Sequence, residues 1–160
     1  MLMNTSMKRR VFLKGSLAAS AMGAAVGAGL LTPQTVLAAW PKAAFEAKKV
    51  DDAMSSLLGS AMSETSGDIS IKAPDIAENG AVVPVTVSTS IGGVESIAIF
   101  AEKNPSPLAA SFDLAKNTEG YVATRIKMGK TGDVIGVVKA GGKLFAARKS
   151  VKVTIGGCGG

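Results

Sequence analysis

The sequence predicts a mainly β fold: an immunoglobulin-like sandwich of about seven strands, with an N-terminal helix before it and a flexible arm after it. Three observations carry this. From Gly67 onward apolar residues recur at every second position, the period of a half-buried strand. Turn residues interrupt these runs at fairly even spacing, as at Asn79-Gly80, Gly92-Gly93 and Gly141-Gly142. The last run passes directly into Gly156-Gly157-Cys158-Gly159-Gly160, where the 160-residue chain ends.

The first element is an export signal, residues 1–38. Lys8-Arg9-Arg10-Val11-Phe12-Leu13-Lys14 supplies a charged start with paired arginines. Gly15–Leu31 follows without charge, and Val36-Leu37-Ala38 offers small residues for a signal peptidase. The paired arginines point to the twin-arginine route and hence to the periplasm. Lys8 stands where that class usually carries Ser or Thr. The competing reading is a membrane anchor, but the uncharged stretch has 17 residues, at the short limit for a span. Cleavage is expected after Ala38, with no membrane attachment afterwards.

The second element, within 39–66, is a helix over 41–62. Ala44, Ala47, Val50, Ala53, Met54, Leu57, Leu58 and Ala61 fall at three- and four-residue steps. Pro41 suits a first turn, and Gly59 lies near the end.

The sandwich occupies 67–155. Ile69-Ser70-Ile71 opens a strand that Pro74 stops. Val83, Val85 and Val87 alternate with Pro84, Thr86 and Ser88, and Pro84, which lacks an N–H, predicts an edge position. Further strands are expected at 94–102, 108–114, 121–128, 133–140 and 143–155. Gly141-Gly142 reads as a two-residue hairpin loop. In the last strand Val151, Val153 and Ile155 are expected to face inward and Lys152 and Thr154 outward.

Composition narrows the function. Lys8, Arg9, Arg10 and Lys14 leave with the signal, so the mature chain carries 14 basic and 12 acidic residues, and the strongly basic balance of the precursor disappears. Eight basic residues lie between Arg125 and Lys152 against the single acid Asp133. Most are read as solvated strand faces, although such a surface also attracts acidic partners. Nucleic-acid binding is not expected, for no motif of that kind occurs. There is no histidine, which excludes Ser–His and Cys–His nucleophile pairs and most zinc or copper sites. Asp51 and Asp52 are neighbours and point about 100° apart on a helix, a poor acid/base pair. No self-contained active site and no cofactor are expected.

The remaining candidate is Cys158, the lone cysteine. Gly156 and Gly157 precede it, and Gly159 and Gly160 follow. Glycine loses the most backbone freedom on ordering, so this five-residue tail, 156–160, is read as a tether of at most about 16–18 Å. A terminal thiol can serve as a reactive group, as a disulfide handle to another chain, or as neither. The glycine frame favours a purposeful thiol.

The ending Val153-Thr154-Ile155-Gly156-Gly157-Cys158-Gly159-Gly160 resembles that of the SoxY family, sulfur-carrier subunits of the periplasmic thiosulfate-oxidising Sox system. Ala77-Glu78-Asn79-Gly80-Ala81-Val82-Val83-Pro84-Val85 and Ala101-Glu102-Lys103-Asn104-Pro105 also resemble family segments. The resemblance implies a non-catalytic carrier, paired with a SoxZ-like subunit, whose Cys158 holds the sulfur substrate covalently. It implies three further partners: a c-type cytochrome complex that loads thiosulfate oxidatively, a metal-dependent hydrolase that releases sulfate, and a molybdenum–haem sulfur dehydrogenase. Two other readings stay open on the residues. One is an exported redox or structural adaptor using Cys158 for an intermolecular disulfide. The other is a ubiquitin-like sulfur carrier using the Gly160 carboxylate.

Overall fold

The computed structural model describes residues 41–154; the segment expected to be an export signal, Ile155 and the Gly-Gly-Cys-Gly-Gly ending lie outside them. Two helices come first, α1 (Lys42–Glu46) and α2 (Val50–Leu58). Nine strands follow: β1 (Glu64–Thr65), β2 (Ile69–Lys72), β3 (Ile76–Ala77), β4 (Val83–Thr89), β5 (Val94–Ala101), β6 (Leu108–Asp113), β7 (Tyr121–Ile126), β8 (Gly132–Ala140) and β9 (Lys143–Val153).

The expected single helix is broken in two. Ala47 ends α1 in an extended conformation (φ −57°, ψ 146°), and Lys49 precedes α2 with φ −123° and ψ 149°. Asp51 and Asp52 then occupy the first turn of α2, where carboxylates favourably meet the unpaired N–H groups and positive end of the helix dipole. Gly59 closes α2 in the left-handed region, φ 83°, a geometry that costs glycine nothing.

The strands form two sheets. The larger has the order β1-β9-β8-β5-β6, with β3 also paired to β9. The smaller has the order β2-β4-β7. Their facing sides share one core: Ile69, Val83, Val85, Val87, Val122 and Ile126 from the small sheet meet Ile97, Ile99, Val134, Val138 and Val151 from the large one. The alternation expected for Val83–Val87 and Tyr121–Met128 is the inward half of this contact.

The large sheet is covered on its other side too. Ala44, Ala53 and Met54 of the helices pack on Ala98, Phe100, Leu108, Ile135, Val137 and Leu144. The architecture is therefore a sandwich with a helical third layer. It explains why Ser96–Ala101 and Val134–Val138 are buried without interruption: a strand covered on both faces reads as a continuous apolar run. Gly136 allows close sheet packing, since a Cβ there would lie 3.2 Å from a Val87 methyl and 3.3 Å from Ile71.

Pro84 corrects one expectation. Its strand β4 is the middle of the small sheet, not an edge. However, β2 pairs only with Thr86–Thr89, so at Pro84 the one neighbour is β7, through Arg125. The missing N–H thus faces no strand on the β2 side. Gly141 and Gly142 form the expected two-residue turn, with φ 56° and 74°. The β5 bulge between Val94 and Ser96 was not legible. It directs Glu95 to that turn, where its carboxylate accepts the Gly142 N–H at 3.2 Å and pairs with Lys139 at 3.5 Å.

Candidate functional site: the end of the last strand

The candidate residues Cys158, Gly156, Gly157, Gly159 and Gly160 lie outside the described residues. What the structure does describe is the strand that delivers them. β9 is bonded along one edge to β8, from Ala140↔Lys143 to Gly132↔Val151. Two short parallel strands hold its other edge: β1 at Phe145–Ala146 and β3 at Lys152–Val153.

The last turns of β9 are fixed from both sides. On the β3 side, the Lys152 N–H donates to the Asp75 carbonyl at 2.9 Å and the Thr154 N–H to the Ala77 carbonyl at 3.1 Å. On the β8 side the partner strand has already ended, and a side chain takes its place. The Thr131 hydroxyl oxygen accepts the Val153 N–H at 2.9 Å, and the hydroxyl donates to the Val153 carbonyl at 3.3 Å. One threonine thereby extends the ladder by a residue pair.

Behind Val153 the chain passes at close range. A Cβ on Gly80 would sit 2.7 Å from Cγ1 of Val153 and would also strike the Met128 carbonyl. The absence of a side chain lets the Met128 N–H reach the Gly80 carbonyl at 2.7 Å. Asn104 braces the same loop: its amide donates to the Lys127 carbonyl at 2.6 Å and its side-chain oxygen accepts the Gly129 N–H at 2.9 Å. Asp75 adds an ion pair to Lys149 at 2.7 Å. That hydrogen bond, with the charge of the ammonium, holds the Asp75 carboxyl below its ordinary 3.8.

Thr131, Gly80, Asn104 and Asp75 were not singled out as site residues from the sequence. A signal existed for two of them. Gly80 and Asn104 lie in the two internal segments noted for family resemblance, and the structure brings both segments around the end of β9. Thr131 gives no such signal, since a surface threonine after Gly129-Lys130 has the look of any loop residue.

The basic run divides. Lys139, Lys143, Arg148 and Lys149 pair with Glu95, Glu64, Asp133 and Asp75. Arg125, Lys127, Lys130 and Lys152 make no ion pair among the described residues. Also among the described residues, no group of three or more His, Cys, Asp or Glu could hold a metal ion, and no helix is long and apolar enough to cross a membrane.

Comparison with known proteins gives a family. Residues 54–158 match the family described as "Sulfur oxidation protein SoxY". Among solved structures, the sulfur carrier protein SoxY from Chlorobium limicola f thiosulfatophilum is similar at 51% identity, over 67% of this chain and 97% of that one, with a TM-score of 0.61. A superoxide reductase (neelaredoxin) from Ignicoccus hospitalis aligns at 20% identity, over 54% of this chain and 80% of that one, with a TM-score of 0.48. No curated protein matches.

Proposed function

Because the chain belongs to the SoxY family of sulfur oxidation proteins, we propose that it is a sulfur carrier that holds its cargo on Cys158 while other proteins do the chemistry. One observation carries the reading: the family match runs through the sandwich and ends on residue 158, the lone cysteine. The relative at 51% identity is named a sulfur carrier.

The cargo chemistry needs only a thiolate. A thiolate is the reactive form of cysteine, and its sulfur can bond to the outer sulfur of thiosulfate. That coupling releases two electrons, and a c-type cytochrome complex takes them up. Water then cleaves the terminal sulfonate from the cysteine-bound S–SO3− group, releasing sulfate and two protons and leaving a persulfide. A sulfur dehydrogenase oxidises the remaining sulfur. The carrier supplies an attachment atom and positions it; Gly156, Gly157, Gly159 and Gly160 keep bulk away from the sulfur. The twin-arginine start puts this work in the periplasm, where disulfide chemistry is permitted, and a SoxZ-like subunit completes the carrier.

The test is intact mass of the mature heterodimer after incubation with thiosulfate and the cytochrome complex. The expected adduct maps to Cys158 and is absent from Cys158→Ser, which folds normally and supports no thiosulfate-dependent turnover. A modified Gly160 carboxylate would indicate ubiquitin-like carriage instead. A disulfide-linked dimer without adduct would indicate an adaptor.

A further inference from the structure

We infer that the free edge of β7 pairs with the same edge of a second copy of this chain, antiparallel, with Ala123 on the two-fold axis. The inference concerns assembly and does not depend on what Cys158 carries.

The first argument is which backbone groups are open. β7 is the last strand of the small sheet and pairs only with β4. In an antiparallel ladder, residue pairs that exchange backbone bonds alternate with pairs that do not. The Thr89 N–H donates to the Gly120 carbonyl at 2.8 Å, and the register carries that phase to Val122, Thr124 and Ile126. Tyr121, Ala123 and Arg125 therefore turn their N–H and C=O groups away from β4, toward the free edge. Pro84 fits the same phase: it faces Arg125, in a pair that exchanges no bond, so its missing N–H leaves β7 no bond short. Internal bonds close both ends of the open stretch. The Tyr121 N–H donates to the Glu119 carbonyl at 2.7 Å, and the Lys127 carbonyl accepts the Asn104 amide at 2.6 Å. What stays open runs from the Tyr121 carbonyl to the Arg125 carbonyl, with Ala123 at its middle.

The second argument is that this edge complements itself. A closed two-fold contact sets each residue against a partner and repeats the pair with the copies exchanged. With Ala123 opposite Ala123, Tyr121 lies opposite Arg125 of the second copy, and Glu119 lies opposite Lys127. Each Ala123 N–H then reaches the other Ala123 carbonyl, and each Arg125 N–H reaches a Tyr121 carbonyl. The side chains match as well. Glu119, Tyr121, Arg125 and Lys127 are exposed, and Tyr121 is 55% so. Glu119, Arg125 and Lys127 make no ion pair among the described residues. Opposed Cα atoms in a bonded pair lie about 5.5 Å apart. At that spacing the guanidinium covers the tyrosine ring and the carboxylate meets the ammonium. A two-fold centred on Arg125 would instead set two guanidinium groups against each other. One centred on Tyr121 would call on an N–H that Glu119 already holds.

The third argument is place. The pairing joins two three-stranded sheets into one of six strands and removes an edge that otherwise invites pairing with any chain. The small-sheet strand beside β9 is β2, at the opposite edge of that sheet. The strand that leads to Cys158 is therefore clear of the contact in both copies.

The experiment uses the mature chain carrying Cys158→Ser, alone and with a SoxZ-like subunit, under mild oxidation. Ala123→Cys is expected to give a disulfide-linked dimer, because opposed Cα atoms fall within disulfide range. Tyr121→Cys and Arg125→Cys are each expected to link poorly to themselves, since like positions stand about 13 Å apart along the strands, and to link to one another when mixed. Adding Lys127→Glu to Ala123→Cys sets carboxylates against each other and is expected to slow linking roughly tenfold; adding Glu119→Lys as well restores it. Ser70→Cys, exposed on β2, is the control for chance collision. The links are read at β7, so any pairing along β6 does not enter. If Ala123→Cys links no faster than Ser70→Cys, the pairing is overturned. If Tyr121→Cys links to itself as readily as to Arg125→Cys, or Glu119→Lys rescues nothing, the register is overturned. If the SoxZ-like subunit abolishes the Ala123→Cys link, the edge belongs to that subunit and the proposal is overturned.

Discussion

At Gly80 a single hydrogen atom decides whether three chain segments can meet. The residue was legible as part of an Asn-Gly turn, and a turn is there: the Val82 N–H reaches the Asn79 carbonyl at 3.3 Å, and the Asn79 side chain accepts the Ala81 N–H at 2.9 Å. The second requirement was not legible, because sequence does not show which strand runs behind a turn. Gly80→Ala places a methyl group against the Met128 carbonyl and Val153. Both neighbours are held, one by the Gly80 carbonyl itself and the other by Thr131, so they yield only by shifting backbone. The expected cost is about 1–3 kcal/mol, as for other overpacking substitutions. Thermal or denaturant unfolding measures it. Gly67→Ala is the control: a Cβ there meets nothing within 4 Å, and it should fall well short of Gly80→Ala.

At the scale of elements, the seven longer strands were legible and the two shortest were not. β1 and β3 have two residues each, too few to establish a period. They matter because they are the parallel partners of β9, and β3 holds the end that leads to Cys158. The apolar spacing continues across the helix break at 47–49 and so hides it; the acidic pair at 51–52, a poor acid/base pair, marks the helix start that follows the break. A prediction belongs to β3. Asp75 is stitched to β9 twice, by its carbonyl to Lys152 and by its carboxylate to Lys149. The folded-state acidity of that carboxyl is lowered below its ordinary value. Its stabilising contribution is therefore full above about pH 4, where a free Asp is ionised, and disappears as pH falls through the lowered folded value. Melting temperatures of wild type and Asp75→Asn should differ slightly near neutrality and converge in acid. The Asp75 side chain is 88% exposed, so added salt should shrink the neutral difference. A gap that widens toward acid, or ignores salt, would contradict this account.

At the scale of the molecule, the two ends of the large sheet are treated differently. One edge, β9, is partly covered by β1 and β3 and carries Arg148, Lys149 and Lys152. The other, β6, pairs only with β5; Pro107 precedes it and Asp113 ends it, but the five residues between them carry neither charge nor proline. Charged side chains and prolines are the usual protection of an edge strand against pairing with another chain. An edge guarded only at its ends suits a protein that works as one half of a pair, and it leaves the solitary half exposed to self-pairing. Two-sheet layering was readable from alternation, but which strands would lie at the edges was not, because edge position depends on pairing order and β4 shows how a proline can mislead. The chain made without its proposed partner subunit should therefore self-associate. Ser111→Lys puts a charge on the middle of β6; Ser111 pairs with Ala98 and is half-buried, so a lysine stem can lie along the sheet while its ammonium reaches water. Sedimentation over a concentration series should show self-association weakened about tenfold, equivalent to ~1.4 kcal/mol, with the unfolding midpoint little changed. If Ser111→Lys self-associates as strongly as wild type, the contact lies on another surface and the bare edge of β6 is not its cause.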